Sequence, residues 1–405
     1  MRLLLTANGP GEVAGWVKPL LQRLFERAPQ SDVHLFLVPD DYATGREGAT
    51  VRALFPQVHI HEPKQYVGAA LGRRSDDLPQ RADVVQYLGG DLMHVARLHR
   101  RFGGVAATYK FSRRAYRKLF SRAFAIDERN AAQLYAWGTP PERVSIVGNL
   151  AIDGALLEAQ AQPEPGTPID GILIMPGSRA YEVEHLVPFF FTMALRVLRE
   201  RPEIPIAFGI SPFTTNGQLR AALEAGGDPR VWAKCGQLVE EEARTFLVSL
   251  DGDVRIPVLR HALAAARQVR LAVTLPGTKC IELAALGVPT IAITPLNAAE
   301  LVTINGPLTY LDRIPGVGRF LKRAAAVALS RRHALHTQPN IDAGEMVLRE
   351  LHGTLTPGRV ARVTLESYDD RAWLAQCSAR LKTLYTSHAG AADRMAKALL
   401  ELGGA

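Results

Sequence analysis

The chain has 405 residues, 47% hydrophobic and 22% charged, with 34 glycines and 26 prolines. That is the make-up of a globular protein with two or three domains of about 150 residues each, and it excludes disordered, collagen-like and polytopic membrane chains. Forty-eight Lys and Arg against 40 Asp and Glu leave a net charge of +8, which favours anionic partners: nucleotides, phosphorylated lipids, anionic membrane or nucleic acid. The cysteines Cys235, Cys280 and Cys377 form no C-x-x-C pair, so neither a disulfide framework nor a cysteine zinc site is expected and a reducing cytoplasm fits.

The apolar start Met1-Arg2-Leu3-Leu4-Leu5-Thr6 ends at Asn8-Gly9-Pro10, too short for a signal-peptide core, and reads as a first strand. Short β-rich runs then alternate with helix-length amphipathic segments, the pattern of parallel sheets covered by helices. A first series of strands is expected at 2–7, 33–38, 84–88, 123–126 and 144–147. The polar, proline-rich stretch 160–167 (QAQPEPGT) follows and reads as a linker. A second series is expected at 171–175, 204–210, 271–274 and 290–293. The most apolar stretch, 186–198, contains Pro188 and Arg196 and falls short of the roughly 20 apolar residues of a spanning helix, so any membrane contact is expected to be peripheral. Residues 374–402 read as two apolar-periodic helices.

In open α/β sheets ligands sit at the carboxyl ends of strands, so strand-to-helix turns are the places to look for chemistry. After the first strand come Asn8-Gly9-Pro10-Gly11-Glu12-Val13-Ala14-Gly15, a glycine-rich turn in which Glu12 is either an acceptor for sugar hydroxyls or a first-turn helix carboxylate. Gly89-Gly90-Asp91 follows another strand, where Asp91 either takes a proton from a substrate hydroxyl or caps the next helix. Pro176-Gly177-Ser178-Arg179 with Glu182 opens the second half; Ser178 could cap the helix and Arg179 could clamp a phosphate. Gly277-Thr278 leads into a helix containing Glu282, a seat for a diphosphate with a carboxylate for ribose hydroxyls.

Between residues 92 and 126 there is no acid but nine bases, Arg113, Arg114 and Arg117 among them, interleaved with Phe102, Tyr109, Phe111, Tyr116 and Phe120. Such a run is a nucleic-acid surface, an anionic-lipid surface or a solvated face. Residues 314–332 mix apolar and basic residues as an interfacial helix does. His59 and His61 form an H-x-H pair without further ligand candidates nearby in the sequence, which suits a surface or core role better than a metal site.

In order, these turns resemble lipid-A-disaccharide synthase. Gly11-Glu12-Val13-Ala14-Gly15, Gly89-Gly90-Asp91, Gly148-Asn149 followed by Asp153, Pro176-Gly177-Ser178-Arg179-x-x-Glu182, Gly277-Thr278-x-x-x-Glu282 and Pro339-Asn340-Ile341 followed by Glu350 carry the likeness. The resemblance implies a GT-B fold: two Rossmann-like parallel α/β domains, 1–160 and 168–355, on a central cleft, with the C-terminal helices 365–405 completing the first. It implies an inverting hexosyltransferase that moves an acylated glucosamine from a UDP-sugar donor to an acylated sugar phosphate acceptor. The enzyme would lie peripherally on the cytoplasmic face of the membrane, without metal or cofactor and with a homodimer as a family feature. Asp91 would be the general base and Glu12 the alternative. Pro176, Gly177, Ser178, Arg179, Gly277, Thr278, Glu282 and Asn340 would bind the donor, and Gly11, Gly15, Arg113, Arg114 and Arg117 the acceptor. Trp16 stands where the family has Asp, Pro276 where it has Ser, and Leu92-Met93 where it has Phe-Asn, so acceptor identity is the open point. The alternatives are a UDP-sugar 2-epimerase of the same architecture and, from another class, a basic nucleic-acid-binding protein, although no recognised binding motif accompanies the bases and no nucleic-acid partner is expected.

Overall fold

The computed structural model describes residues 1–39, 45–225, 236–242, 244–297 and 335–404. Cys235 and the basic stretch 314–332 lie outside them. The chain divides into two compact units, Met1–Leu157 with Thr386–Ala405, and Glu158–Tyr385.

The first unit holds a seven-stranded sheet made of β1 (Arg2–Ala7), β2 (Asp32–Leu37), β3 (His59–His61), β4 (Val84–Tyr87), β5 (Val105–Tyr109), β6 (Arg122–Ala125) and β7 (Val144–Ile146). Their order is β3-β2-β1-β4-β5-β6-β7 and every pairing is parallel. Leu3, Leu4 and Leu5 are all fully buried, as the unbroken apolar run of a strand covered on both faces requires. The strand order reverses between β1 and β4, where Thr6 pairs with Tyr87; their carboxyl ends flank a topological switch point. The short β-like run at His59–His61 is the edge strand β3, whereas β5 is not evident in the sequence, reading Val-Ala-Ala-Thr-Tyr inside an arginine-rich stretch.

The expectation for residues 365–405 narrows. The Pro357–Asp369 and Arg371–Tyr385 helices belong to the second unit and only 386–405 to the first. There the Ala391–Leu402 helix puts Met395 and Leu399 into one core with Leu20, Leu21 and Leu24.

The second unit holds an eight-stranded sheet: β8 (Ile172–Met175), β9 (Ile206–Gly209), β10 (Gly236–Glu241), β11 (Arg244–Ser249), β12 (Arg255–Leu259), β13 (Leu271–Thr274), β14 (Thr290–Pro295) and β15 (Arg349–Gly353). The order is β10-β11-β12-β9-β8-β13-β14-β15, and only β10–β11 and β11–β12 are antiparallel. The stretch 186–198 lies in the Ala180–Glu200 helix, where Phe189, Phe190 and Phe191 are fully buried. Its all-round hydrophobicity is that of a core helix, and among the described residues no helix is long and apolar enough to cross a membrane. The outermost strands β10 and β15 carry polar residues, as edge strands demand, and are not evident in the sequence.

Candidate active site

In the first unit, the chain leaves β1 into a helical turn, Pro10–Glu12, which becomes a π-helical turn at Val13–Val17 before the regular Lys18–Arg27 helix. Such bulges occur frequently at functional sites. The two glycines expected to face an acceptor differ. Among the described residues a Cβ on Gly11 would meet nothing within 4 Å, whereas one on Gly15 would lie 3.6 Å from the Ala151 Cβ. Gly15 is buried where two helices touch and serves their packing.

Glu12 and Asn8 lie over the turn after β4: a Cβ on Gly89 would come within 2.7 Å of Asn8 Oδ1 and 3.1 Å of Glu12 Cγ. The missing side chain lets the two turns approach. Asn8 Oδ1 is buried with no hydrogen-bond partner in the described structure. Asp91 caps the Leu92–Phe102 helix, its Oδ1 accepting from the Met93 N–H at 2.8 Å. Its Oδ2 lies 3.3 Å from Arg113 Nη1, and the carboxylate side chain is 38% exposed, so capping and access to a substrate coexist. The Tyr87 hydroxyl donates to Gly90 O at 2.9 Å. Burial, together with the Glu12 and Asp91 carboxylates, raises the Tyr87 pKa above the ordinary phenol value, so those two carboxylates act on one spot.

Lys110, at the end of β5, holds a left-handed φ of 64°, a strained conformation that persists only under tertiary restraint. Lys110 O accepts from Asn130 Nδ2 at 2.9 Å and Thr108 Oγ1 donates to Phe111 O at 2.5 Å. This fixes the turn that presents Arg113 beside Asp91 and leaves Phe111 exposed. Arg114 and Arg117 are exposed on the following turn. Thr108 and Asn130 carry no sequence signal of that role.

In the second unit, β8 and β13 are neighbours at the corresponding switch point, with Thr274 Oγ1 donating to Met175 O at 2.8 Å. The turns after them, Pro176–Arg179 and 275–278, therefore start side by side. Glu182 organises the first. Its Oε2 accepts from the Ser178 and Arg179 N–H groups at 2.8 and 3.0 Å, and its Oε1 meets Arg179 Nη1 at 3.3 Å. A Cβ on Gly177 would sit 2.3 Å from Glu182 Oε2, so glycine and glutamate are a fitted pair. Ser178 is not the cap: Arg179 holds the N-cap position and Glu182 takes up the two amides. What this turn offers a ligand is the half-exposed Arg179 guanidinium.

Gly277 caps the Thr278–Ala285 helix at φ 152°, ψ −161°, with no side-chain cap, a region essentially confined to glycine. Among the described residues nothing lies within 4 Å of where a Cβ would stand, so none of them blocks the helix entrance. Lys279 sits in the first turn, against the helix dipole, and its Nζ lies 2.5 Å from Glu282 Oε2. Burial alone would lower the lysine pKa, but the Glu282 and Glu158 carboxylates more than offset it and the pKa is raised. A cation thus stands at a helix N-terminus, a pairing suited to an anion. Lys279 was missed in the sequence; a lysine in a helix's first turn is the signal that could have found it.

Asn340 is fully buried. Its Nδ2 donates to Leu348 O and Glu350 Oε1, and its Oδ1 accepts from the Val347 and Leu348 N–H groups. Every side-chain hydrogen-bonding site is filled, so Asn340 locks a turn and has none left for a donor nucleotide, contrary to expectation.

No protein-family model matches the chain, and no curated protein matches it either. Solved structures do. A UDP-bound S. aureus MnaA matches with a TM-score of 0.58 at 13% identity, covering 98% of this chain and 96% of that one. The Methanocaldococcus jannaschii UDP-GlcNAc 2-epimerase in complex with UDP-GlcNAc and UDP matches with a TM-score of 0.55 at 14% identity, over 99% and 100%. A glycotransferase of kitacinnamycin matches with a TM-score of 0.53 at 13% identity, over 99% and 98%. The fold is GT-B. The likeness extends to UDP-sugar epimerases and glycosyltransferases alike and includes no lipid-A-disaccharide synthase among these structures.

Proposed function

We propose that this chain is a UDP-sugar enzyme whose second unit holds the nucleotide diphosphate. The reading is supported by the placement of Arg179, Lys279 and the helix N-terminus at Gly277-Thr278 in turns that follow the carboxyl ends of the neighbouring strands β8 and β13. As the bond between the anomeric carbon and oxygen breaks, negative charge grows on the departing diphosphate, and these groups stabilise it. Glu282, itself buried, pairs with Lys279 and holds it in place. UDP should raise the melting temperature, and Arg179→Ala should weaken UDP binding by about 10- to 100-fold, the worth of a charged hydrogen bond. Unchanged affinity would remove Arg179 from the site.

Two reactions start from that complex. Epimerisation at C2 of the sugar is favoured by the whole-chain likeness to a UDP-GlcNAc 2-epimerase. It would use Glu12 and Asp91 as proton-transfer groups. Transfer to an anionic acceptor is favoured by Arg113, Arg114 and Arg117 with the exposed apolar Met93 and Phe111 around Asp91; Asp91 would then take the acceptor's hydroxyl proton. An acylated glucosamine donor and a lipid-linked acceptor are the specific form of this second reading. Incubation with UDP-GlcNAc separates them: a free epimeric UDP-sugar formed without acceptor establishes epimerisation, and UDP release only on addition of an acylated sugar phosphate establishes transfer. Absence of UDP binding would sink both.

A further inference from the structure

The H-x-H pair acquires partners once the strands are laid side by side. In the β2–β3 register, His34 lies opposite His59 and Phe36 opposite His61. Successive side chains on a strand alternate faces, so Asp32 and His34 share a face with His59 and His61. His34 Nε2 is 3.2 Å and His59 Nε2 3.7 Å from Asp32 Oδ1, and one ligand atom from each of the three residues lies within 4.8 Å of the others.

We propose that Asp32, His34 and His59 bind one divalent ion of the zinc class at the edge of the first unit's sheet. Ligands about 2.0–2.1 Å from a tetrahedral ion stand roughly 3.3 Å apart, close to the two nitrogen–oxygen separations found here. Two imidazoles and one carboxylate form a donor set typical of zinc, with the fourth position left to water. Arg2 Nε binds Asp32 through Oδ2 at 2.6 Å, leaving Oδ1 for the ion. His34 Nδ1 lies 2.9 Å from His61 Nε2; with Nε2 on the ion, His34 donates its Nδ1–H to His61, the outer-sphere bond that orients metal-ligating histidines. His61 is in turn stacked on Phe36 with ring centroids 4.3 Å apart, so the buried side of the site is rigid. The His34 and His59 rings are stacked 4.7 Å apart, and closure requires the His59 ring to turn. That side chain is 59% exposed on a three-residue edge strand, so little opposes the turn. The ligands lie at the amino-terminal ends of β2 and β3, whereas Glu12 and Asp91 follow the carboxyl ends of β1 and β4. The ion therefore fastens the edge strand and takes no part in sugar chemistry.

The test uses the full-length, tag-free chain, stripped with a chelator and titrated with Zn²⁺ by calorimetry and with Co²⁺ by visible absorption. One ion per chain is expected, with tetrahedral Co²⁺ bands and a higher melting temperature on Zn²⁺ addition. His59→Ala and His59→Gln should each weaken binding by roughly tenfold or more while leaving the metal-free melting temperature unchanged. His352→Ala should not weaken it; that residue belongs to a separate histidine pair, His336 and His352, with rings 4.9 Å apart. Absence of stoichiometric uptake, or equal uptake by both His59 variants, overturns the site.

Discussion

Asp91 caps a helix and in the proposed function also moves a proton, and substitution separates the two roles. Asn caps a helix as well as Asp does, so Asp91→Asn should keep the melting temperature while turnover falls about 10²- to 10⁴-fold, the worth of a general base. Asp91→Ala should in addition cost about 1 kcal/mol of stability. Full turnover by Asp91→Asn would exclude proton transfer. Gly177→Ala tests the fitted pair: φ is +100° and the new Cβ would overlap Glu182 Oε2, so roughly 1–3 kcal/mol of strain should appear in chemical denaturation. His94 gives a pH dependence. It is buried, with Nδ1 2.6 Å from the Tyr66 hydroxyl. Burial lowers its pKa from 6.5, Asp91 raises it and Arg97 lowers it further, leaving a net depression. As pH falls below about 6.5 the unfolded chain takes up the proton first, so His94 contributes stability above that pH that is lost on acidification. A flatter stability profile between neutral and mildly acid pH in His94→Asn would confirm it; an identical profile would assign the dependence elsewhere.

At the scale of elements, the segment Gly148-Asn149…Asp153 is informative because its role is docking. Gly390 N–H and Ala392 N–H donate to the two Asp153 oxygens at 2.7 and 2.6 Å, capping from a distance a helix that has no side-chain cap of its own. Gly148, at φ +98°, admits His388 O, which a Cβ would approach to 2.6 Å. Asp153→Ala should therefore lose about 1–3 kcal/mol and make the segment from Thr386 onward the first released in limited proteolysis. Cleavage there at the wild-type rate would count against the cap. In the second unit, Glu350 accepts from His336 N–H, Thr337 N–H and Oγ1, and Asn340, so the late Pro-Asn-Ile motif anchors β15 and its preceding helix.

For the whole molecule, the net charge of +8 becomes meaningful through placement. Arg114 and Arg117 are exposed in the first unit, and each base near an anionic bilayer contributes roughly 1 kcal/mol. On the transfer reading, replacing both with Ala should weaken flotation with anionic vesicles about thirtyfold, since two such contributions sum to about 2 kcal/mol. Equal flotation with neutral and anionic vesicles would take the membrane out of the mechanism. The alternation of apolar runs with helical periodicity already determined two α/β units built largely on parallel strands, and the glycine-rich strand-end segments were legible as turns, because backbone sterics and hydrophobic burial act over a few residues; the antiparallel pairings of β10, β11 and β12 were not legible. That Asn340 locks a turn, that the turns carrying Arg179 and Lys279 follow neighbouring strands, and that Asp32 and His34 stand beside His59 were decided only by the tertiary structure. Hydrogen-bond partners and strand neighbours far apart in the chain are fixed by register and packing, which local spacing does not encode.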